Sequence, residues 1–280
     1  MTKKLAFPYF ILGVFALISM PLMGQKPTSA VSKKGQSVNA FSDFYPKGTK
    51  LNRTSEQNMH TSMVNMGENI EMDAVSTSYT SQVILGARGD SQVIVTKPYK
   101  IDGYIISNGN KQDISQNDSS TELHYIIDSK GTLLNISGNA DYIKAMKMSG
   151  INNAQTGLNL MVYFKHNKEL FLSDSFHLEY QGNPYSYDKT FILTEINKEE
   201  AVFTTKTKIV LDQNYDMNDY DIHQRVEGTS NGMMKVRLSD YLVTYNEENL
   251  NLAGYMEMVT VNIPLTIKGS MKEFITDSLQ

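Results

Sequence analysis

The sequence predicts a mostly β protein, built as a large curved antiparallel sheet or half-barrel with one or two short helices. Three observations predict it. Apolar residues recur with period two along much of the chain, the patterned runs end at Gly- and Asn-rich turns, and Thr, Tyr, Val and Ile are frequent throughout. The chain of 280 residues has no cysteine, so disulfides, thiolate metal sites and thiol nucleophiles are excluded and core burial must hold the fold together.

The first residues read as a secretory signal. Met1-Thr2-Lys3-Lys4 supplies a charged start, and Leu5 to Met23 follows with no charge. Gly24 is small enough to precede a cleavage, so residues 1–24 are expected to be removed, leaving Gln25 first. The rival is a retained anchor, since a membrane-spanning helix needs roughly 20 apolar residues. Pro8, Gly13 and Pro21 argue against that helix, and no transmembrane span is expected after removal. Residues 25–40 are small and polar, a flexible leader that cannot bury enough apolar surface to order itself. The β domain is expected over residues 41–280.

Within it, Ile70, Met72 and Ala74 alternate with Glu71 and Asp73, a strand with one apolar face. Asn65–Asn69 and Asn108-Gly109-Asn110 read as hairpin turns, Asn-Gly being the strongest short signal of that kind. Val83-Ile84-Leu85, Gly86–Asp90 and Val93-Ile94-Val95 read as strand, turn, strand. Phe191–Leu193, Asn197–Glu199 and Ala201–Phe203 read likewise, and Met233–Tyr245 and Tyr255–Ile267 supply further strands. One segment looks helical: Asn139 can cap it, Tyr142, Ile143 and Met146 share a face, and Gly150 can end it. Leu158 to Phe164 fits strand and helix spacing equally. Residues 83–96 also align without gaps on residues 191–204, an offset of 108 that suggests two pseudo-repeats and, as an alternative fold, two packed β lobes from a tandem duplication.

Removing Lys3 and Lys4 moves the formal net charge from −4 to −6, and no dense basic cluster exists. Nucleic acid and anionic membranes, which need positive surface, are therefore not expected partners. The 16 methionines offer more. Met59-His60-Thr61-Ser62-Met63-Val64-Asn65-Met66 holds soft groups suited to Cu(I). On a strand, however, Met59 and Met63 point one way and His60 and Met66 the other. Adaptable packing, or the lining of an apolar cavity, is the better reading. Met59, Met63, Met72, Met233 and Met256 are expected to gather on the concave face as a ligand-binding surface.

Other constellations fail on chemistry. Asp212 to Asp221 offers oxygen ligands, but Met217 stands where a calcium loop needs Gly and His223 where it needs Glu, so a solvated turn is expected. The histidines stand singly, so no metal site is expected. No Gly-x-Ser-x-Gly or phosphate-cradling loop occurs; Asp174-Ser175-Phe176-His177 reads as the start of a strand. No catalytic residue and no cofactor is assigned. Tyr180, Tyr185, Tyr187, Tyr215 and Tyr220 can stack on sugars at an exposed face, yet strands enrich tyrosine for structural reasons.

The chain resembles a family of uncharacterised exported proteins of gram-negative bacterial envelopes, a domain of unknown function. The resemblance is carried by Tyr45-Pro46-Lys47-Gly48-Thr49, the Met-rich hairpin Met59–Met72, Ile127 to Leu133, and Leu172-Ser173-Asp174-Ser175-Phe176. In the last, Ser173 replaces the family's Gly and Phe176 its Trp. The resemblance implies export and a β architecture and assigns no catalytic residue. A looser analogy is to the half-barrels of envelope lipoprotein carriers, and fold analogy alone does not license a function. The expectation is a non-enzymatic protein on the periplasmic or extracellular side of the envelope. It is expected to bind an apolar small molecule, or alternatively to serve as a structural module contacting another envelope protein or a glycan.

Overall fold

The computed structural model describes residues 47–65, 67–88, 91–117, 121–128, 133–140, 143, 164, 168–180, 185–217, 220–258 and 261–277. Period-two patterning yields β1 (Lys50–Asn65), β2 (Glu68–Arg88), β3 (Ser91–Ser107), β4 (Asn110–Asp113), β5 (Leu123–Asp128) and β6 (Leu133–Gly138). A 3-10 turn at Lys168–Leu172 precedes β7 (Ser175–Tyr180), β8 (Tyr185–Ile196), β9 (Glu200–Met217), β10 (Tyr220–Arg237), β11 (Val243–Met258) and β12 (Val261–Asp277). All twelve lie in one antiparallel sheet of order β6-β5-β3-β2-β1-β12-β11-β10-β9-β8-β7, with β4 beside β3. The first strand pairs with the last, from Leu51 opposite Asp277 to Met63 opposite Leu265. The order is thus a ring of up-and-down strands opened between β6 and β7. A single continuous sheet overturns the alternative of two packed lobes.

A sheet one layer thick can bury one face only by curling over it. β12 shows the consequence: Ile263, Leu265, Ile267, Met271, Glu273 and Ile275 are buried, while Asn262, Pro264, Thr266, Lys268, Lys272, Phe274 and Thr276 between them are exposed. The outward positions on β1, β9 and β10 are equally polar, with Glu56, Asn58, His60, Lys206, Lys208, Arg225 and Glu227 exposed. Strands that cross a bilayer carry an apolar band outward. Among the described residues this outer face carries mostly charge and amides, with apolar side chains such as Val64 and Phe274 exposed singly.

Turn chemistry explains the hairpins. Asn108 and Gly109 both take positive φ, 48° and 80°, the pairing that a two-residue turn with the sheet's own twist requires. Gly86 does not belong to a turn, as expected from sequence, but sits inside β2 at a register shift that skips Leu85. Its φ of 124° and the 43% exposure of Leu85 mark a bulge that lets β2 continue to Arg88. An equivalent bulge skips Thr194 in β8. The two bulges lie 109 residues apart, one residue off the offset of 108.

The inner face divides into three zones. At one end, Leu51, Ile84, Ile94, Phe203, Val236, Leu242 and Ile275 form a cluster capped by Phe164 and Phe171. At the other, Met59, Met63, Met72 and Met256 pack with Ile105, Leu211, Ile222, Leu252 and Ile263. Between them lies a belt of buried polar groups that includes Ser55, Gln57, Lys189, Thr205, Thr207, Ser230, Asn246, Glu248 and Glu273. Of the segment expected to be helical, Ala140 and Ile143 are helical, and the Ile143 amide donates to the Asn139 carbonyl at 3.0 Å. The rest of it, and Leu158–Tyr163, lie outside the described residues.

Candidate functional site

The concave face is the candidate site, and its phase is set by the strand register. From Met59, in β1, the directly opposite residues run to Gly269, Leu250, Ser230, Thr207 and Lys189 on successive strands. One inward row therefore joins the methionine end to the polar belt.

Four of the five methionines assigned from sequence come together. Met59, Met63, Met72 and Met256 are 2–8% exposed and share one cluster. Met233 does not join them. On β10 the inward residues are Ile222, Gln224, Val226, Ser230, Met234 and Val236, so Met233 faces outward and Met234 enters the opposite, aromatic cluster. Sequence alternation missed this because Gly228, Ser230 and Gly232 put no apolar side chain on the inner face. Counting by twos from Val226 to Val236 recovers it.

The belt was not anticipated. Lys189, 1% exposed, donates from Nζ to Glu248 Oε1 at 2.5 Å, and the Thr205 hydroxyl donates to the same oxygen at 3.2 Å. The Ser230 hydroxyl donates to the other carboxylate oxygen. β8 and β11 are three strand steps apart, roughly 14 Å along the sheet. Direct contact between Lys189 and Glu248 therefore requires the concave bend. Gly232, opposite Glu248, makes room: a Cβ there would lie 1.8 Å from the Glu247 carbonyl oxygen and 3.0 Å from the Glu248 carboxyl carbon. Lys189 Nζ also sits 5.2 Å from the Phe191 ring centroid. A second pair, Arg53 and Glu273, closes the belt on β1 and β12, with Nε to Oε1 at 2.7 Å. The sequence signal for Lys189 was its phase, since Tyr187 and Phe191 on either side are both inward. Two members have buried oxygens without a hydrogen-bond partner among the described residues, Thr207 Oγ1 and Asn246 Oδ1.

The outer face holds the rejected constellations. His60 reaches Asp73 through Nδ1 at 2.8 Å and Glu71 through Nε2 at 3.0 Å, so its two nitrogens serve two carboxylates and converge on no shared ion. The acidic segment is strand rather than an open turn: β9 runs to Met217 and β10 starts at Tyr220, with residues 218–219 outside the described residues. Asp212 there accepts from His223 at 2.8 Å and Arg225 at 2.8 Å, and the His223 bond holds its carboxyl below the usual range. Tyr187 is buried at 3% exposure, so it offers no face to a sugar; the side chains of Tyr180, Tyr185, Tyr215 and Tyr220 lie outside the described residues. A shallow outer depression of about 450 Å³ is bordered by Gly103, Tyr104, Lys111, Asp113 and Ser115. Its charged groups are already engaged. Lys111 Nζ lies 3.9 Å over the Tyr104 ring, and hydrogen bonds from Ser115 lower the Asp113 carboxyl's pKa.

No family model matches the chain, and no curated protein matches it either. Solved structures are similar at 10% identity or less, each of those named here with a TM-score under 0.5. Lipovitellin, from a structure on its lipid–protein interactions, is 10% identical with a TM-score of 0.49, over 84% of this chain and 26% of lipovitellin's. The chain thus spans about a quarter of the lipovitellin chain. An outer membrane channel from Pseudomonas putida F1 is 8% identical over 84% of this chain and 98% of its own, with a TM-score of 0.27. OccK5 from Pseudomonas aeruginosa is 7% identical over 84% of this chain and 99% of its own, with a TM-score of 0.26. No residue role or ligand passes from these proteins to this chain.

Proposed function

We propose that this chain is a non-enzymatic, exported envelope protein that holds an apolar ligand against the methionine end of its curled sheet. The observation that carries the reading is the convergence of Met59, Met63, Met72 and Met256 on one inner cluster beneath a polar outer face. Methionine is unbranched and polarisable, so such a wall adapts to ligands of varied shape, where branched or aromatic side chains impose one. The polar exterior supports a protein standing in water. The charged start and apolar run of residues 1–24 support export, on the periplasmic or extracellular side. The Glu248 carboxylate, on which the Ser230 and Thr205 hydroxyls converge, is also held by the buried Lys189, a closed ion pair that supports a binding role over catalysis.

The test is native mass spectrometry of the chain purified without its first 24 residues, followed by titration with the apolar fluorophore N-phenyl-1-naphthylamine. A co-purifying apolar adduct, or saturable fluorescence enhancement, is the expected result. A compact protein that carries no adduct and leaves the fluorophore dark overturns the reading.

A second reading, a module contacting another envelope protein, draws on the open seam. β6 and β7 each end the sheet with one edge unpaired among the described residues, and Leu134 on β6 is 56% exposed. Such edges accept an added strand. Crosslinking in intact cells that captures one reproducible protein neighbour, with no small ligand in the purified chain, favours this reading instead.

A further inference from the structure

A sheet that held only hydrocarbon would gain nothing from a polar belt through its middle. Burying an ion carries a desolvation penalty that its partner repays only with good geometry and further hydrogen bonds. The belt nevertheless holds two ion pairs, the buried Lys189 with Glu248 and the part-buried Arg53 with the buried Glu273. Each pair is closed internally, so among the described residues the belt is electrically neutral.

What the pairs leave over are two neutral groups. Thr207, 2% exposed, stands directly between Lys189 on β8 and Ser230 on β10, and its hydroxyl oxygen has no partner among the described residues. Asn246, 6% exposed, is opposite Glu273, and its Oδ1 is likewise without a partner. Buried polar atoms are normally satisfied, and an exception asks for a group that arrives from outside. Both point to the concave side, and the row through Thr207 continues across the sheet to Met59.

We infer that the interior takes an amphiphile rather than a plain hydrocarbon: a single- or double-chain lipid whose head is polar and carries no net charge, docked on Thr207 and Asn246 with its tail among Met59, Met63, Met72 and Met256. Asn246 Oδ1 only accepts, so the head must bring an O–H or N–H donor; the Thr207 hydroxyl can donate or accept. A head with net charge would enter a neutral belt without a counter-ion, which disfavours fatty-acid carboxylates and anionic phospholipids. This inference rests on the proposed ligand-binding function and names the ligand class for that same site.

Three probes with closely matched tails separate the two claims: monooleoylglycerol, oleate and 1-octadecene, each displacing N-phenyl-1-naphthylamine from the chain lacking residues 1–24. Monooleoylglycerol is expected to displace the fluorophore at concentrations at least about 10-fold below the other two, the scale of one or two well-made hydrogen bonds. Thr207→Val keeps the shape of a strand residue and removes the hydroxyl; Asn246→Leu removes the acceptor. Each is expected to cut monooleoylglycerol affinity about 5- to 10-fold more than it cuts 1-octadecene affinity. Oleate or octadecene binding as tightly as monooleoylglycerol overturns the inference and leaves the binding function standing. Unchanged monooleoylglycerol affinity in Thr207→Val does the same, and that variant alone decides if Asn246→Leu fails to fold. No fluorophore binding by the parent removes both.

Discussion

The two ends of the inner face are apolar in different ways. One is built from rings: Phe164, Phe171, Phe176, Phe191 and Phe203 lie with centroids 4.5–6.3 Å apart, stacked or edge-to-face. The other is built mainly from thioethers and aliphatic side chains, with five methionines, Met59, Met63, Met72, Met256 and Met271, and the single ring of Tyr187. Aromatic pairs prefer defined offsets and angles, so the ring end fixes one arrangement. Methionine has three rotatable side-chain bonds and tolerates rearrangement. A single curled sheet is thus closed at one end by shape and left adaptable at the other, with a polar belt marking the boundary.

The largest effect should come from breaking the ring end. Phe203 is fully buried against four other phenylalanines, so Phe203→Ala is expected to destabilise by about 3–5 kcal/mol in urea unfolding. Next comes the boundary. Lys189→Met leaves the Glu248 carboxylate buried without its cation and should cost about 3 kcal/mol, of which Lys189→Met with Glu248→Leu recovers part. Recovery in the double variant distinguishes a stranded charge from lost packing. The methionine end should respond least: Met72→Leu conserves volume and is expected to cost under about 1.5 kcal/mol while changing fluorophore affinity. A cost as large as that of Phe203→Ala would erase the contrast between the ends.

The outer face supplies a fourth and smallest expectation. Asp212 has a lowered pKa because His223 hydrogen-bonds its carboxylate, with desolvation opposing and Arg225 adding. A depressed carboxyl contributes stability above its unfolded pKa, near 3.8, and loses it as pH falls through the lower folded value. The side chain is 42% exposed, so screening limits the contribution to roughly 0.2–1 kcal/mol. Stability curves of the parent and Asp212→Asn should therefore differ slightly at pH 5 and draw together as pH falls below 3.8 and through the lower folded value.

Much of the fold was legible because alternation is a direct image of a one-layer sheet. Ile70, Met72 and Ala74, and the Asn108-Gly109 turn, declared themselves. What was not legible has physical reasons. A glycine at φ 124° serves a bulge as readily as a turn, so the Gly86 segment concealed a strand of 21 residues. The pairing of β1 with β12 joins residues more than 200 positions apart and leaves no local signature. The belt hid itself and the phase around it: inward Lys189, Ser230 and Glu248 look like solvent-facing residues until the register is known, which is why Met233 was placed on the wrong face.

That misplaced residue makes the sharpest control. With 13C-methyl-labelled methionine, the ε-methyl resonances of Met59, Met63, Met72 and Met256 can be followed together with Met233 as monooleoylglycerol is added. The resonances of Met59, Met63, Met72 and Met256 are expected to shift and saturate together while Met233, on the outer face, stays in place. Unmoved inner resonances, or a Met233 shift as large as theirs, would contradict that expectation.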